Sequence, residues 1–161
     1  GGHYELVHHT QLIAELLAQG RIRVNATLQR VIYHDPCYLG RHNGEFDAPR
    51  AVLARLCSDA PLEFGLSREK AMCCGAGGGR MWMEEKIGKR INITRVEQAM
   101  ELKPQTIATA CPYCAVMMAD GLAALPQAPA CRAVVVKGSR FMKMEQVVAA
   151  LLAAPGADHA G

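Results

Sequence analysis

The chain has 161 residues, half of them hydrophobic, which is the size of one globular domain that can bury a core without disulfide bonds. Its 18 Lys and Arg residues against 15 Asp and Glu residues leave a formal charge of +3, with no run of like charge. Because nucleic-acid-binding proteins cluster their positive charge, we expect no nucleic-acid partner. The longest uncharged apolar stretch, residues 147–157, is shorter than a membrane-spanning helix, so we expect no transmembrane segment in this chain.

Two short strands and two helices are predicted in the first half of the chain. They are a helix over residues 11–19, a strand over residues 30–35, a helix opened by Asp47 and Pro49, and a strand over residues 62–64. Thr10 is the expected cap of the first helix, and Gly20 is expected to end it. Cys37 follows the first strand after Pro36, which places this cysteine at the carboxyl end of the strand.

A glycine-rich run begins the second half. The segment from Cys73 to Arg80, CCGAGGGR, predicts an irregular loop that brings backbone close to a bound group. The elements expected after it are a helix over residues 84–102, a strand over residues 106–110, a helix from Pro112 to Leu122, a strand over residues 133–136, and a last helix with apolar positions from Met144 to Leu152.

Strands that alternate with helices predict an α/β fold, here a Rossmann-like layered domain with a small, mainly parallel sheet flanked by helices. In such sheets ligands bind at the carboxyl ends of the strands. Cys37 and Cys111 both lie at predicted strand ends, while Cys73 and Cys74 open the glycine loop. We therefore expect three distant segments to meet at one site.

The seven cysteines indicate a reducing, cytoplasmic setting, because their number is odd and no secretory leader precedes them. In that setting clustered cysteines are typical of metal ligands or redox catalysts. The sequence begins Gly1-Gly2-His3 without Met, from which we expect a part of a longer protein. Cys57 and Cys131 are expected to be buried packing residues.

The five remaining cysteines form the candidate site, called here the five-cysteine set: Cys37, Cys73, Cys74, Cys111 and Cys114. The spacing of Cys111 and Cys114 alone fits zinc ribbons, thioredoxin-like sites and iron–sulfur proteins equally. Five sulfurs exceed the four ligands of a structural zinc, whereas a multi-iron cluster accommodates more. A zinc site with a spare thiol stays open as an alternative. Arg41, His42 and Arg80 are candidates to balance the charge of a cluster, and His34 either hydrogen-bonds the site or satisfies a backbone group.

The spacing C-x35-CC-x36-CxxC resembles the cysteine-rich domain of the cluster-binding subunit of heterodisulfide reductase and its relatives, including the iron–sulfur subunits of glycolate oxidase and lactate utilisation. The likeness covers about residues 30 to 136. The matching motifs are HDPCYLGR at His34–Arg41, CCGAGGGRMW at Cys73–Trp82, RIN at Arg90–Asn92 and ACPYC at Ala110–Cys114. Residues 8–22 resemble the segment before the second cysteine-rich repeat of longer relatives.

The resemblance implies that Cys37, Cys73, Cys74, Cys111 and Cys114 together ligate a noncubane 4Fe-4S cluster that transfers electrons, with no acid–base catalytic residue. It also implies a C-terminal domain of a longer protein. We expect a helical lead-in over residues 1–29, the iron–sulfur domain over residues 30–152 and, from its Gly and Ala content, a disordered tail over residues 153–161. Expected partners are a ferredoxin-like iron–sulfur domain and a flavoprotein, and any membrane association would come through other parts. The alternatives are disulfide reduction at the cluster, as in heterodisulfide reductase, and a structural zinc-binding interaction domain.

Overall fold

The computed structural model describes residues 2–25, 27–126 and 131–135. The helices of these residues are α1 (His9–Ala18), α2 (Asp47–Leu56), α3 (Ile91–Glu101) and α4 (Pro112–Ala123). The strands are β1 (Val31–His34), β2 (Leu62–Glu63), β3 (Thr106–Thr109) and β4 (Arg132–Val135). Short helical turns lie at Tyr38–His42, Arg68–Lys70 and Gly77–Trp82. Because α4, the longest helix described, has 12 residues, none of these helices has the length and apolarity needed to cross a bilayer.

The four strands form one parallel sheet in the order β2-β1-β3-β4. The register pairs Val31 with Thr106 at one end of the central strands and His34 with Thr109 at the other. All residues of β1 and β3 are buried, as expected for strands covered on both faces. The predicted α/β layered domain with a small parallel sheet is confirmed.

Alternating side chains of the central strands build a core on each face of the sheet. On one face, Ile32 and Ile107 pack with apolar side chains of α3 and α4. On the other face, Val31 and Tyr33 pack with Leu53 of α2, and α1 lies against α2. The carboxyl ends of β1 and β3 therefore emerge together between two helical layers.

The structure corrects three details of the predicted elements. The helix expected over residues 84–102 is formed only by α3, because Gly88 has a φ of +71°, which an α-helix does not allow. His8, not Thr10, caps α1: its Nδ1 accepts from the Thr10 N–H at 3.3 Å, and the His8 N–H donates to Gln11 Oε1 at 2.9 Å. The glycine run is not wholly irregular, since a 3-10 turn begins at Gly77.

The remaining predictions concern the ends of the chain. The last predicted helix, from Met144 to Leu152, and the tail over residues 153–161 lie outside the described residues. The division into a lead-in over residues 1–29 and a domain over residues 30–152 stays a prediction.

Candidate metal centre

Three connections at the carboxyl edge of the sheet carry the five-cysteine set. Cys37 follows β1 and precedes the helical turn at Tyr38–His42. Cys111 follows β3 and occupies the N-cap position of α4, one turn before Cys114. Cys73 and Cys74 come from the loop between β2 and α3. Each of these cysteines lies in a connection that follows a strand. Because the strands are parallel, all three connections begin at the same edge of the sheet, which brings the cysteines together.

The structure brings the five predicted cysteines together. Cys37, Cys73, Cys74 and Cys114 line one pocket, along with His34, Asp35 and Arg41. Cys111 lies beside this pocket, since its thiol is hydrogen-bonded with that of Cys114. No disulfide joins any of the seven cysteines. Cys57 and Cys131 do not line this pocket and pack against the two cores, but both are only partly buried, where full burial was expected.

Gly75 makes the adjacent cysteine pair possible. Its φ of +91° is a conformation that side chains disfavour, and its N–H donates to Cys73 Sγ at 3.3 Å. A Cβ at this position would lie 3.1 Å from Ile91 Cβ and 3.3 Å from the backbone nitrogen of Asn92. The loop therefore turns sharply against the start of α3 immediately after Cys74.

Gly75→Ala is expected to destabilise the protein by about 2 kcal/mol, because left-handed backbone strain adds to the close contact with α3. The free energy of unfolding in urea measures this change. Gly77→Ala is the matched control in the same loop, since Gly77 has no positive φ and nothing lies within 4 Å of an added Cβ. Equal stability of the two variants would contradict this role of Gly75.

Two thiols of the set are held as thiolates. Hydrogen bonds from Cys114, His34 and the Ala76 N–H lower the pKa of Cys74 to about 4, despite its burial. A hydrogen bond from Cys114 and the backbone N–H groups at the start of α4 lower the pKa of Cys111 to about 6. The pKa of Cys114 is raised, because its thiol hydrogen-bonds with both of these neighbours. Burial and the nearby thiolates raise the pKa of Cys37.

The metal-free chain is therefore expected to hold two thiolates at neutral pH, measurable by ultraviolet thiolate absorbance. Because both pKa values are depressed, acidification should protonate them, first through pH about 6 and then through pH about 4. Cys111→Ala should remove the upper step, while Cys57→Ala should leave both steps, since burial raises the pKa of that thiol. Loss of the upper step in Cys57→Ala would contradict the assignment.

His34 lies directly beneath the cysteines at the end of β1. Only 1% of the residue is exposed, and one of its ring nitrogens lies within 4.8 Å of the sulfurs of Cys74 and Cys114. Its Nδ1 accepts from Nε of Arg95 at 3.2 Å. Of the two roles left open for His34, the structure favours contact with the site, because no backbone group takes up either ring nitrogen.

Arg95 is a buried residue beside the site that the sequence did not predict. It is fully buried in α3, where its guanidinium lies 3.4 Å from the centre of the Phe64 ring and donates to the Leu66 carbonyl at 3.1 Å. A signal was present, because Arg95 shares the buried helical stripe of Asn92, Val96 and Ala99. A charged residue on such a stripe requires partners inside the protein.

Asp35 fastens the strand end below the site. Its carboxylate binds both terminal nitrogens of Arg50, at 2.7 and 2.9 Å, and accepts from the Arg68 N–H at 2.8 Å. Arg50 Nε also donates to Glu63 Oε1 at 2.6 Å. This buried network ties β1 to α2, to β2 and to the loop that leads into the adjacent cysteines.

Of the three residues proposed to balance charge, only Arg41 lines the pocket, and it donates to the Ala71 carbonyl at 2.6 Å. Arg80 instead forms an ion pair with Glu85 and is about half exposed. His42 packs beside the Tyr38 ring with 5.0 Å between ring centres. Arg68 also lines the pocket, but its guanidinium forms an ion pair with Asp47 at 3.0 Å.

Several longer proteins contain a region that is similar to this chain. The chain is 48% identical over 118 residues to the probable iron-sulfur-binding oxidoreductase FadF of Bacillus subtilis, covering 73% of this chain and 17% of that protein. It is 46% identical over 132 residues to EtfAB:quinone oxidoreductase of Syntrophomonas wolfei, covering 77% of this chain and 18% of the relative.

A third relative is a subunit of the dihydromethanophenazine:CoB--CoM heterodisulfide reductase of Methanosarcina barkeri, 37% identical over 123 residues. That match covers 76% of this chain and 30% of the relative, so the chain spans less than a third of the length of these three relatives. No solved structure matches the chain. Residues 31–119 match the model of the cysteine-rich domain family, CCG. Because this match includes every strand end and loop that brings the five-cysteine set together, the chain belongs to the cysteine-rich (CCG) domain family.

Proposed function

We propose that this domain is an iron–sulfur electron-transfer module of an oxidoreductase, and that its five-cysteine set holds a 4Fe-4S cluster of the noncubane type. The observation that carries the proposal is the convergence of five free cysteines from three segments at one edge of the sheet. The names of the relatives support it, since one is an iron-sulfur-binding oxidoreductase and two are other redox enzymes.

The donor set fits such a cluster. Thiolate is the usual protein ligand of iron–sulfur clusters, and two of the five thiols ionise below neutral pH. A tetrahedral zinc would use four ligands and leave one sulfur unused. The buried Nε2 of His34, which makes no hydrogen bond among the described residues, supplies a polar group on the same side.

A bound cluster would supply one-electron redox chemistry, and the chain's residues would hold it and adjust its environment. Cys74 and Cys111 would be available without prior loss of a proton, which favours metal binding at neutral pH. The glycine turn lets backbone approach the site closely. Arg41 offers positive charge at the pocket to offset the negative charge of a thiolate-ligated cluster. None of these roles requires acid–base catalysis.

The partners that we propose are other domains or subunits of a redox complex, such as a ferredoxin-like iron–sulfur domain or a flavoprotein. Support comes from the length of the relatives, of which the match covers only 17%, 18% and 30%, and from the name of one of them as a subunit. The free state of all seven cysteines supports a reducing, cytoplasmic setting.

Disulfide reduction at the cluster is the second candidate function. It is favoured by the 37% identity with one subunit of a heterodisulfide reductase. It differs from simple electron transfer in a measurable way, because a disulfide substrate would be converted to thiols by the reduced, cluster-loaded protein. Absence of thiol production with a reducible cluster would leave electron transfer as the function.

Metal analysis of anaerobically prepared protein tests the proposal. We expect about four iron and four sulfide per chain, the content of one 4Fe-4S cluster, and a visible absorption that dithionite bleaches reversibly. A colourless protein with about one zinc per chain and no sulfide would overturn the proposal in favour of a structural zinc-binding interaction domain.

A further inference from the structure

Arg95 and His34 form a pair of buried polar side chains that connects α3 to the cysteines. Both are almost completely inaccessible to solvent, although they lie 61 positions apart in the chain. Arginine has only N–H donors and stays protonated in proteins. Burial lowers the pKa of Arg95 only to about 10, so the guanidinium remains charged at neutral pH.

The contact with Arg95 determines which nitrogen of His34 carries the proton. Nδ1 lies 3.2 Å from Arg95 Nε, and since Nε can only donate, Nδ1 must accept. Because an accepting Nδ1 carries no hydrogen, the ring is neutral. A neutral ring with an accepting Nδ1 has its hydrogen on Nε2.

The Nε2–H group has one kind of partner available. It is buried and makes no hydrogen bond among the described residues of the metal-free chain. The sulfurs of Cys74 and Cys114 lie within 4.8 Å of one ring nitrogen of His34, and Nδ1 is already engaged by Arg95. The free ring nitrogen therefore faces sulfur.

The same geometry argues against His34 as a metal ligand, although it lies close enough to Cys74 and Cys114 to complete a three-residue metal group. A neutral imidazole that binds metal through Nε2 carries its proton on Nδ1. That proton would point at the N–H of Arg95, so two donors would face each other without an acceptor.

We infer that Arg95 and His34 act as a positioning pair, in which Arg95 Nε–H donates to His34 Nδ1 and His34 Nε2–H donates to the Cys74 sulfur, and that this pair raises the reduction potential of the bound cluster. The inference rests on the proposed function. Reduction adds negative charge to a cluster, and a hydrogen bond to a ligand sulfur stabilises the more negative state. Removing the donor should therefore make the cluster harder to reduce.

Three variants separate the hydrogen bond from simple packing. In His34→Gln, the amide oxygen can accept from Arg95 while the amide N–H donates to Cys74, so the direction of both hydrogen bonds is kept. His34→Met fills the site without a donor. Arg95→Met keeps His34 but removes the group that sets its tautomer, with an apolar side chain against Phe64. Circular dichroism checks that each variant is folded.

The first measurement is the His34 tautomer in the metal-free 161-residue chain, read from nitrogen–proton couplings of labelled histidine. We expect the Nε2–H form in the parent chain and a mixture of both tautomers in Arg95→Met. An Nδ1–H tautomer in the parent chain would overturn the inference. This readout does not depend on a cluster, so it still decides the direction of the hydrogen bonds if the chain takes up no iron and the proposed function fails.

The second measurement is the midpoint potential of the iron-loaded protein. In His34→Met we expect about a tenfold shift of the equilibrium toward the oxidised form, or a potential lower by about 59 mV for a one-electron couple. Arg95→Met should shift it in the same direction, and His34→Gln should retain the parent potential. A parent-like potential in His34→Met, or an equal fall in His34→Gln, would overturn the inference.

Discussion

Each single replacement of a cysteine in the five-cysteine set by alanine will remove bound iron together with the visible absorption. At known metal sites, removing a residue that hydrogen-bonds a ligand already lowers the metal affinity about 10- to 100-fold. Removing a ligand itself should therefore lower the affinity on the order of 100-fold or more. Cys74→Ala should have the largest effect, because Cys74 is both a preformed thiolate and the hydrogen-bond partner of Cys114 and His34. Iron and sulfide per chain, measured after anaerobic purification, give the result.

Cys57→Ala is the matched control, because Cys57 is also partly buried and free but lies at the end of α2, in the core on the other face of the sheet. It should keep its full iron content, and an equal loss of iron there would disprove the ligand assignment. Cys37→Ala tests the cluster type separately. Full iron content without Cys37 would indicate four ligands and a cubane cluster in place of the noncubane one.

Asp35→Ala is expected to lower the free energy of unfolding by about 3 kcal/mol, because breaking a buried ion pair on one side leaves the other charge out of water. The Asp35 carboxylate is 3% exposed, and its removal leaves the Arg50 guanidinium, whose side chain is 13% exposed, with Glu63 as its remaining acidic partner. It also deprives the Arg68 N–H of its acceptor. Urea unfolding of the metal-free chain measures the loss.

An exposed ion pair provides the comparison for Asp35. Glu97 and Lys89 are 2.7 Å apart, but 39% and 55% of their side chains are exposed, so Glu97→Gln should change the stability by less than about 1 kcal/mol. The two acidic variants should therefore differ clearly. Equal stability of Asp35→Ala and Glu97→Gln would show that the network below the site contributes no more than a surface pair.

Local sequence patterns predicted the sheet well. The apolar runs correctly predicted β1 and β3, whose observed ends lie within one residue of the predicted ends. Asp47 and Pro112 correctly marked the starts of α2 and α4. Such elements can be recognised in the sequence because they leave local patterns. A strand buried on both faces is a continuous apolar run, and the start of a helix is marked by the residues of its first turn. The predicted start of α3 was wrong. Apolar residues continue the helical spacing through Gly88, but this glycine has a positive φ and turns the chain.

By itself, the sequence determined which residues form the candidate site: the cysteine spacing, the glycine turn and the alternation of strands and helices were sufficient to predict that five cysteines meet at the carboxyl edge of the sheet. Only the tertiary structure decided how that site is supported. Arg95 reaches His34 across 61 positions of sequence, and the Asp35 network joins four separate segments. No local pattern reports such contacts, because they arise when the parallel sheet brings the ends of distant strands and helices side by side, where a buried charge must find its partner.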